Sequence, residues 1–296
     1  MMQSDPAAIL RAAVWMAGSI IAFSLMAVAG RAVSFELDTF EIMLYRSVVG
    51  VIIMLVAGSL TGTLYQVRPR RIGLHLIRNV CHFTGQNLWF LAITMIPLAQ
   101  VFALEFTGPL WALLLASLIL GERLTRMRAL AAFAGFIGIL IVTRPGAGAL
   151  DIGVLAAAAA AVGFAFTAVF TRLLTRTETL TSILIYMTVL QTLFGLVCAG
   201  FDGDIALPSA ASLPWLAVIG FCGLAAHLCL TKALSLAPAA VVLPIDFARL
   251  PLIAVVGLLF YAEPVDAYVL IGALIIFGAN YANIYHETRA RRAVAR

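Results

Sequence analysis

The sequence predicts an all-α membrane protein with ten transmembrane helices, arranged as two inverted five-helix repeats with cytoplasmic N- and C-termini. Three observations carry this prediction. The composition is unusually apolar, stretches of about 20 apolar residues recur along the chain, and the two halves of the sequence resemble each other.

The composition excludes an ordinary soluble fold. Of 296 residues, 63% are hydrophobic and 11% are charged, whereas soluble domains carry about 25% charged residues. The net charge of +5 comes from short basic clusters between apolar runs, which is typical of cytoplasmic loops rather than of a nucleic-acid surface. The four cysteines lie inside apolar runs, where we interpret them as small core residues, and no cofactor or metal is expected.

Ten spans can be drawn, and the loop charges set their orientation. On one side of the membrane the loops hold only Arg31 and Arg144, whereas the other loops and the C-terminus hold most of the basic residues. Because basic loops stay in the cytoplasm, both termini are predicted there. The predicted spans are 12–33, 39–60, 72–94, 97–119, 127–144, 152–174, 180–200, 210–233, 238–260 and 265–285.

The halves align at an offset of 141 residues without a gap through several spans. The informative matches are polar or proline pairs: Glu105 with Asp246, Glu122 with Glu263, Pro97 with Pro238, and Arg31 with Arg172. We therefore predict a first repeat over residues 1–146, holding spans 1–5, and a second over 147–296, holding spans 6–10.

Five spans per repeat is an odd number, so the second copy must enter the membrane from the opposite side. An inverted repeat gives a protein two nearly equivalent conformations, one open to each face, as alternating access requires. This favours a carrier. A passive channel remains compatible with such a repeat, whereas a membrane enzyme would need a catalytic constellation that we do not find.

Ionisable residues inside spans are the candidate substrate-binding residues, because each costs at least about 2.5–3.5 kcal/mol to insert. Prolines near the two acids indicate broken helices, which membranes tolerate only beside a neighbouring helix or a cavity. The embedded ionisable residues are Arg46, Arg78, Glu105, Asp246 and Arg249.

Span three presents a polar stripe, since Arg78, His82, Gln86 and Trp89 fall within one narrow arc of a helix. Tyr45 and His227 complete the predicted cavity lining. Three arginines against two acids leave one surplus positive charge, which predicts a substrate with a carboxylate or an acid that exchanges a proton. Arg78 and Arg249 are the predicted anion contacts.

Structural alternatives stay open for these residues. Glu105 and Asp246 could form salt bridges that only fix helix register, and Arg46 could extend towards the membrane surface. His82 and Gln86 could be ordinary hydrogen-bond partners between helices. His75 is expected near the cytoplasmic interface and solvated.

Two segments resemble the ends of EamA domains of the drug/metabolite transporter superfamily. The first lies within Pro109–Gly146 and reads GERLTRMRALAAFAGFIGILIVTRPG, and its counterpart from Ala262 reads AEPVDAYVLIGALIIFGA. The second copy has Ala-Glu-Pro in place of Gly-Glu-Arg. The resemblance covers essentially the whole chain and implies ten spans, of which 1–4 and 6–9 line a central cavity.

The resemblance implies a secondary transporter of a small organic metabolite in the bacterial inner membrane. Members with Arg and Glu in spans two to four look similar to uptake carriers, including those for S-adenosylmethionine and riboflavin. The expected substrate is a carboxylate-bearing or zwitterionic solute, a vitamin or an S-adenosylmethionine-like compound. The alternatives are export of amphipathic organic cations, drugs or amino acids, and a membrane enzyme acting on a lipid-linked substrate.

The expected partners are that solute, the lipid bilayer and protons as the candidate coupling ion. No nucleic acid is expected, and the chain would act as a monomer or a homodimer.

Overall fold

The computed structural model describes residues 6–68, 70–121, 125–144, 151–201, 203–237, 242 and 245–294. Within these ranges the regular structure is helical throughout, which confirms the all-α prediction. The helices are α1 (Pro6–Val33), α2 (Thr39–Leu60), α3 (Ile72–Met95), α4 (Leu98–Glu105), α5 (Gly108–Leu120), α6 (Arg126–Thr143), α7 (Ile152–Leu174), α8 (Leu180–Ala199), α9 (Leu213–Leu236), α10 (Arg249–Tyr261) and α11 (Ala267–Val294). A short 3-10 turn, Leu64–Gln66, lies between α2 and α3.

Local sequence sets where several helices begin. Asp38 and Glu41 form a capping box at the start of α2, in which each side chain accepts a hydrogen bond from the other residue's backbone N–H. Asp151 caps α7 and Thr179 caps α8 in the same N-terminal position. These caps explain why the predicted bounds 39–60 and 152–174 agree with the observed helices.

Eight helical stretches among the described residues are long and apolar enough to cross a bilayer, with α4 and α5 counted together as Leu98–Ile119. The remaining two predicted spans depart from this pattern for identifiable reasons. Helix α3 is 24 residues long but carries the polar stripe, and α10 has only 13 residues because the helix before it is interrupted.

Helix packing follows a pattern that maps onto itself when the two halves are exchanged. The most extensive contacts join α1 to α9, α3 to α7, α2 to α8 and α6 to α11. When the halves are exchanged, α1 takes the place of α7 and α9 takes the place of α3, so the α1–α9 pair becomes the α7–α3 pair. The α2–α8 and α6–α11 pairs map onto themselves. Each of these pairs joins one half of the chain to the other.

Glycines allow the closest of these contacts. A Cβ added to Gly163 of α7 would lie 3.0 Å from the Cα of Gly85 and 3.2 Å from the carbonyl oxygen of Cys81, both on α3. Gly138 of α6 and Gly272 of α11 approach in the same way, each facing the other's carbonyl oxygen. Small residues at helix interfaces let backbones come close, as is common in membranes.

The buried core runs through the centre of the helix bundle, and its largest fully buried side chains include Phe90, Phe102 and Leu250. Large apolar side chains also cover the outer surface, such as Leu118 at 81% and Phe260 at 75% exposure. Such a surface suits a hydrocarbon solvent.

Some features singled out in the sequence lie outside the described residues. They are Glu122 of the repeat and of the Gly-Glu-Arg segment, Pro238 and Pro244, and the predicted boundary between the repeats at 146 and 147.

Candidate functional site

A small cavity lies between α2, α3, α8 and α9. Two helices from each half therefore contribute to it. Its lining combines basic, amide and hydroxyl groups with two methionines and several glycines: Met43, Arg46, Ser47, Gly50, His82, Met187, Thr188, Gln191, Gly220, Gly223, Leu224 and His227.

Arg46 of α2 is the charged residue of this lining. Its Nη1 donates a hydrogen bond to Oε1 of Gln86 on α3 and lies 3.6 Å from the Met43 sulfur. Its guanidinium carbon lies 6.0 Å from the centre of the Phe90 ring. Gln86 thus positions the guanidinium rather than neutralising it.

Arg78 is buried one turn before the cavity residue His82 on α3. Its Nε donates to the hydroxyl of Thr171 on α7 at 3.1 Å, and its Nη1 donates to Oδ1 of Asn79 at 3.0 Å. Both partners are neutral. Within the part of the chain that the structure describes, no carboxylate forms an ion pair with Arg46 or Arg78.

The two histidines of the cavity come from opposite halves. His82 on α3 is 6% exposed, and its ring lies 6.1 Å from that of Phe164. Its Nδ1 is buried without a hydrogen-bond partner in the described part of the chain. His227 on α9 packs edge-to-face against Phe23 at 5.4 Å. Both rings can offer N–H groups to a ligand in the cavity.

The embedded acids form a separate cluster around Arg249, which we call the charge triad: Glu105, Asp246 and Arg249. Arg249 Nη1 lies 3.2 Å from Oε1 of Glu105, and its Nη2 lies 3.1 Å from Oδ2 of Asp246. Trp89 Nε1 donates to the other Glu105 oxygen at 2.8 Å. Three phenylalanine rings surround the Arg249 guanidinium at 4.8–5.1 Å: Phe23, Phe102 and Phe106.

The triad sits where two helices are interrupted. Glu105 ends α4, and α5 restarts at Gly108 with Pro109 in its first turn. The interruption frees backbone groups, and the Asn280 side chain on α11 donates to the Phe106 carbonyl oxygen at 2.9 Å. On the other side, Asp246 is helical, a turn follows, and α10 begins at Arg249. Both breaks therefore face neighbouring helices, as hydrocarbon surroundings require.

The predicted site residues lie in three separate places in the structure. Arg46, His82 and His227 line the cavity, with Gln86 and Arg78 beside it. Trp89 joins the charge triad. Tyr45 lies elsewhere, because its hydroxyl donates to the Ala206 carbonyl oxygen in the loop before α9.

Two further differences concern residues near the site. His75, expected to be solvated, is fully buried against Tyr186, with 4.3 Å between ring centres. Gln191 of α8 lines the cavity and donates to the Asn79 carbonyl oxygen at 2.9 Å, but the sequence analysis did not select it. Its polar position within an apolar span was the available signal.

A profile of the EamA-like transporter family matches residues 10–144 and matches again over residues 151–284. This chain belongs to the EamA-like transporter family. The two matches confirm the resemblance seen in the sequence, and they identify the protein as a transporter.

Relatives of this EamA-like transporter are bacterial carriers. It is 32% identical over 218 residues to a riboflavin transporter of Brucella anthropi, covering 72% of this chain and 77% of that protein. A riboflavin transporter of Vibrio cholerae is 28% identical, with 96% of each chain covered. An S-adenosylmethionine uptake transporter of Rickettsia felis is 27% identical, with 93% of each covered.

Among solved structures, one crystal structure superposes with a TM-score of 0.64 over 94% of this chain and 98% of the other, at 18% identity. That likeness concerns the fold alone. Together with the long apolar helices, the family makes this EamA-like transporter a multi-pass protein of the bacterial inner membrane.

Proposed function

We propose that this transporter is a secondary carrier working by alternating access, with ten spans, inverted halves and both termini in the cytoplasm. The ten spans consist of the eight long apolar stretches, helix α3, and the interrupted span that ends with α10. The exchange of halves in the packing pattern and the distribution of loop arginines support this arrangement. The same scaffold serves a monomer or each subunit of a homodimer.

The cavity between α2, α3, α8 and α9 is the proposed substrate site. One observation carries this assignment: Arg46 and Arg78 are embedded at the cavity, and their hydrogen-bond partners among the described residues are neutral groups. Two guanidinium charges in a low-dielectric setting are costly unless something offsets them. A negatively charged group of a bound substrate would do so.

Arg46 is therefore the proposed direct contact, with Arg78 as a second contact deeper along α3. Arg249 was the other anion contact predicted from sequence, but it already lies between two carboxylates. Its charge is more than balanced within the triad. We assign Arg249 a role in the triad and leave substrate recognition to Arg46, Arg78 and the two cavity histidines.

The favoured substrate is a metabolite with a carboxylate, including zwitterions. S-adenosylmethionine, named for the Rickettsia relatives, carries an amino-acid carboxylate that a guanidinium can bind in bidentate fashion. Riboflavin, named for other relatives, offers ring carbonyl oxygens as acceptors for the same donors. The methionines Met43 and Met187 provide polarizable contacts for a ring system or a sulfur-bearing chain.

The basic lining argues against amphipathic organic cations that lack a carboxylate, because such compounds offer the arginines only like charge. Amino acids remain compatible through their carboxylate. Family membership favours transport over catalysis on a lipid-linked substrate.

Counterflow in proteoliposomes tests this function. Vesicles loaded with unlabelled solute are mixed with a trace of the same radiolabelled solute, using S-adenosylmethionine, riboflavin and a panel of amino acids in parallel. A carrier accumulates label transiently, whereas a channel shows no such stimulation. We expect counterflow with at least one carboxylate-bearing or vitamin solute, and its absence throughout the panel would count against the substrate class.

Charge variants identify the site. Arg46→Gln removes the positive charge, and Arg46→Lys retains it without the planar fork. We expect Arg46→Gln to raise KM by at least about tenfold, equivalent to about 1.4 kcal/mol, with Arg46→Lys in between. Arg144→Gln, in the exposed pair with Asp266, is the matched control. Unchanged KM in both Arg46→Gln and Arg78→Gln would rule out this cavity as the anion site.

A further inference from the structure

The charge triad contains one more negative charge than positive charge, and its hydrogen bonds are unevenly shared. Glu105 uses both carboxylate oxygens, one with Arg249 and one with Trp89. Asp246 uses only Oδ2, which lies 3.1 Å from Arg249. Its Oδ1 is buried and has no hydrogen-bond partner among the described residues. The surplus charge of the triad therefore coincides with one unpartnered oxygen atom.

The surroundings of Asp246 offer little to offset that charge. It borders a second cavity on the side of the triad facing α11. Aromatic and aliphatic residues form most of the lining, and the nearby amide of Asn280 already donates to the Phe106 carbonyl oxygen. The lining residues are Phe106, Pro109, Asp246, Phe247, Phe277, Asn280, Tyr281 and Ile284.

A buried carboxylate oxygen without a donor is costly, and the cost disappears when the group gains a positive partner. A metal ion fits poorly, since Na⁺-like and Ca²⁺-like ions need several oxygen ligands. Among the described residues there is no group of three His, Cys, Asp or Glu side chains that could hold a metal ion. A proton needs only the one oxygen.

Building on the proposed carrier function, we infer that Asp246 is the proton-binding group of the transport cycle. A proton from the aqueous phase binds Oδ1, while Oδ2 continues to accept from Arg249. The triad then holds one carboxylate, Glu105, against one guanidinium and is electrically balanced. Release of the same proton on the other side of the membrane returns the charge triad to its net negative charge.

The ionisable groups around Asp246 come from several helices. Arg249 follows it at the start of α10, and Glu105 approaches from α4 through Arg249. Tyr281 of α11 lines the same cavity. Beyond the Phe23 ring, which Arg249 contacts, lies His227 of α9. Of these, Arg249 is in direct contact with Asp246, so protonation of Asp246 changes the electrostatic attraction on Arg249 most directly.

Because Arg249 contacts Asp246, protonation of Asp246 changes how the two halves are held together. Arg249 holds Glu105 of the first half and Asp246 of the second half at the two helix breaks. When Asp246 is neutral, its hold on the guanidinium weakens to that of an uncharged acceptor. Arg249 is then attracted mainly to Glu105, and the link between the two halves is weaker. This favours movement of the halves relative to each other at the two helix interruptions.

Infrared spectroscopy tests the inference on the purified full-length transporter without any substrate. A protonated carboxyl group gives a C=O stretch that a carboxylate lacks. We expect the wild type to show one such band that is absent in Asp246→Asn. Trp89→Phe is the matched control, because Trp89 donates to Glu105 and leaves Asp246 untouched. Its band should keep the wild-type frequency.

Each result decides the matter. No band in the wild type, or a band that persists in Asp246→Asn, overturns the inference. A band that shifts in Trp89→Phe places the proton on Glu105 instead. Transport supplies a second readout: an imposed pH gradient should accelerate transport by the wild type but not by Asp246→Asn, each compared with its own rate without a gradient. If no solute in the panel is carried, the proposed substrate class fails while the infrared result still stands.

Discussion

At the residue scale, the buried arginines differ in what surrounds them. Arg249 has two carboxylates, and Arg31 pairs with Glu263. Among the described residues, Arg46 contacts the Gln86 amide and the Met43 thioether, and Arg78 contacts the Thr171 hydroxyl and the Asn79 amide. Burying a charge is costly in every case, and the folded protein itself offsets that cost for Arg249 and Arg31. Under the proposed function, a bound ligand offsets it for Arg46 and Arg78.

Trp89 provides a test of the triad's stability. Trp89→Phe keeps an aromatic ring against Phe90 and Phe102 but removes the N–H that donates to Glu105. A hydrogen bond to a charged group contributes about 2 kcal/mol, so we expect a lower melting temperature in detergent. Trp15→Phe is the control, because Trp15 is 38% exposed on the outer surface. Equal melting temperatures for the two variants would contradict a structural role for the Trp89–Glu105 bond.

Glu36, in the loop after α1, gives a pH-dependent prediction. Hydrogen bonds from the Ser212 hydroxyl, and then from the backbone and side chain of Ser209, lower the pKa of Glu36 from its ordinary value of 4.5. A lowered pKa means that the bonds stabilise the folded state above that ordinary value and are lost as pH falls through the folded pKa. We expect Glu36→Gln to melt below wild type near neutral pH.

That difference should shrink as the solution becomes more acidic than pH 4.5, because Glu36 in the wild type then becomes neutral too. Ser212→Ala should move the loss to higher pH, since it removes the largest contribution to the lowered pKa. Melting temperatures measured across a pH series would show this, and a pH-independent gap would contradict it.

Sequence reasoning identified which residues are embedded but could not pair them. Charge inside an apolar run is visible in one dimension, so Arg46, Arg78, Glu105, Asp246 and Arg249 could be selected. Their partners depend on helix rotation and on contacts between the halves, which no local pattern encodes. The same reason explains Tyr45: whether it faces the cavity or the loop before α9 depends on how that loop folds over the end of α2.

At the element scale, the interrupted helices are the feature that the sequence indicated most usefully. Pro109 and Pro251 suggested breaks, because proline removes a backbone donor. The break occurs two or more residues before each proline, at Phe106 and Thr107 and at Phe247 and Ala248. Proline therefore sits near the start of the second segment, where its missing N–H has no helical partner to lose.

Packing between α3 and α7 gives a prediction at this scale. Gly163→Ala would place a methyl group 3.0 Å from the Gly85 Cα, which is backbone and cannot rotate away. Overpacking of this kind costs about 1–3 kcal/mol, and we expect a lower melting temperature. Gly73→Ala is the matched control on α3, because nothing lies within 4 Å of its added Cβ. That variant should match or exceed wild type.

Loss of stability in Gly73→Ala comparable to that in Gly163→Ala would show that helix contact is not the cause. Because α3 carries Arg78, His82, Gln86 and Trp89, spacing between α3 and α7 also sets the position of the cavity residues. Transport by Gly163→Ala should therefore fall along with its stability.

At the scale of the whole molecule, one buried ion pair ties the halves together. Arg31 at the end of α1 pairs with Glu263 after α10, and it also donates to the carbonyl oxygens of Ile93 and Ile96. The second Glu263 oxygen accepts from the backbone N–H of Leu98 at 2.9 Å. The same pair thus fastens the end of α3 and the start of α4 to the second half.

Glu263→Gln should loosen this end of the molecule. We expect backbone amides near Leu98 to exchange hydrogen about tenfold faster, equivalent to about 1.4 kcal/mol, measured by mass spectrometry. Asp266→Asn is the control, since its pair with Arg144 is largely exposed and exposed pairs contribute about 0–1 kcal/mol. Equal exchange in the two variants would contradict a closing role for the Arg31–Glu263 pair.

The unbalanced charge of the embedded arginines also makes the empty carrier sensitive to membrane voltage. With Arg46, Arg78 and Arg249 against Glu105 and Asp246, the embedded groups carry one net positive charge, and a bound monoanion cancels it. Membrane potential acts on net charge, by about 2.3 kcal/mol per elementary charge for each 100 mV crossed. A proton on Asp246 adds one positive charge back. Under the two proposals, voltage would therefore act on the empty carrier with Asp246 ionised and on the carrier that holds both monoanion and proton, but not on the carrier that holds the monoanion alone.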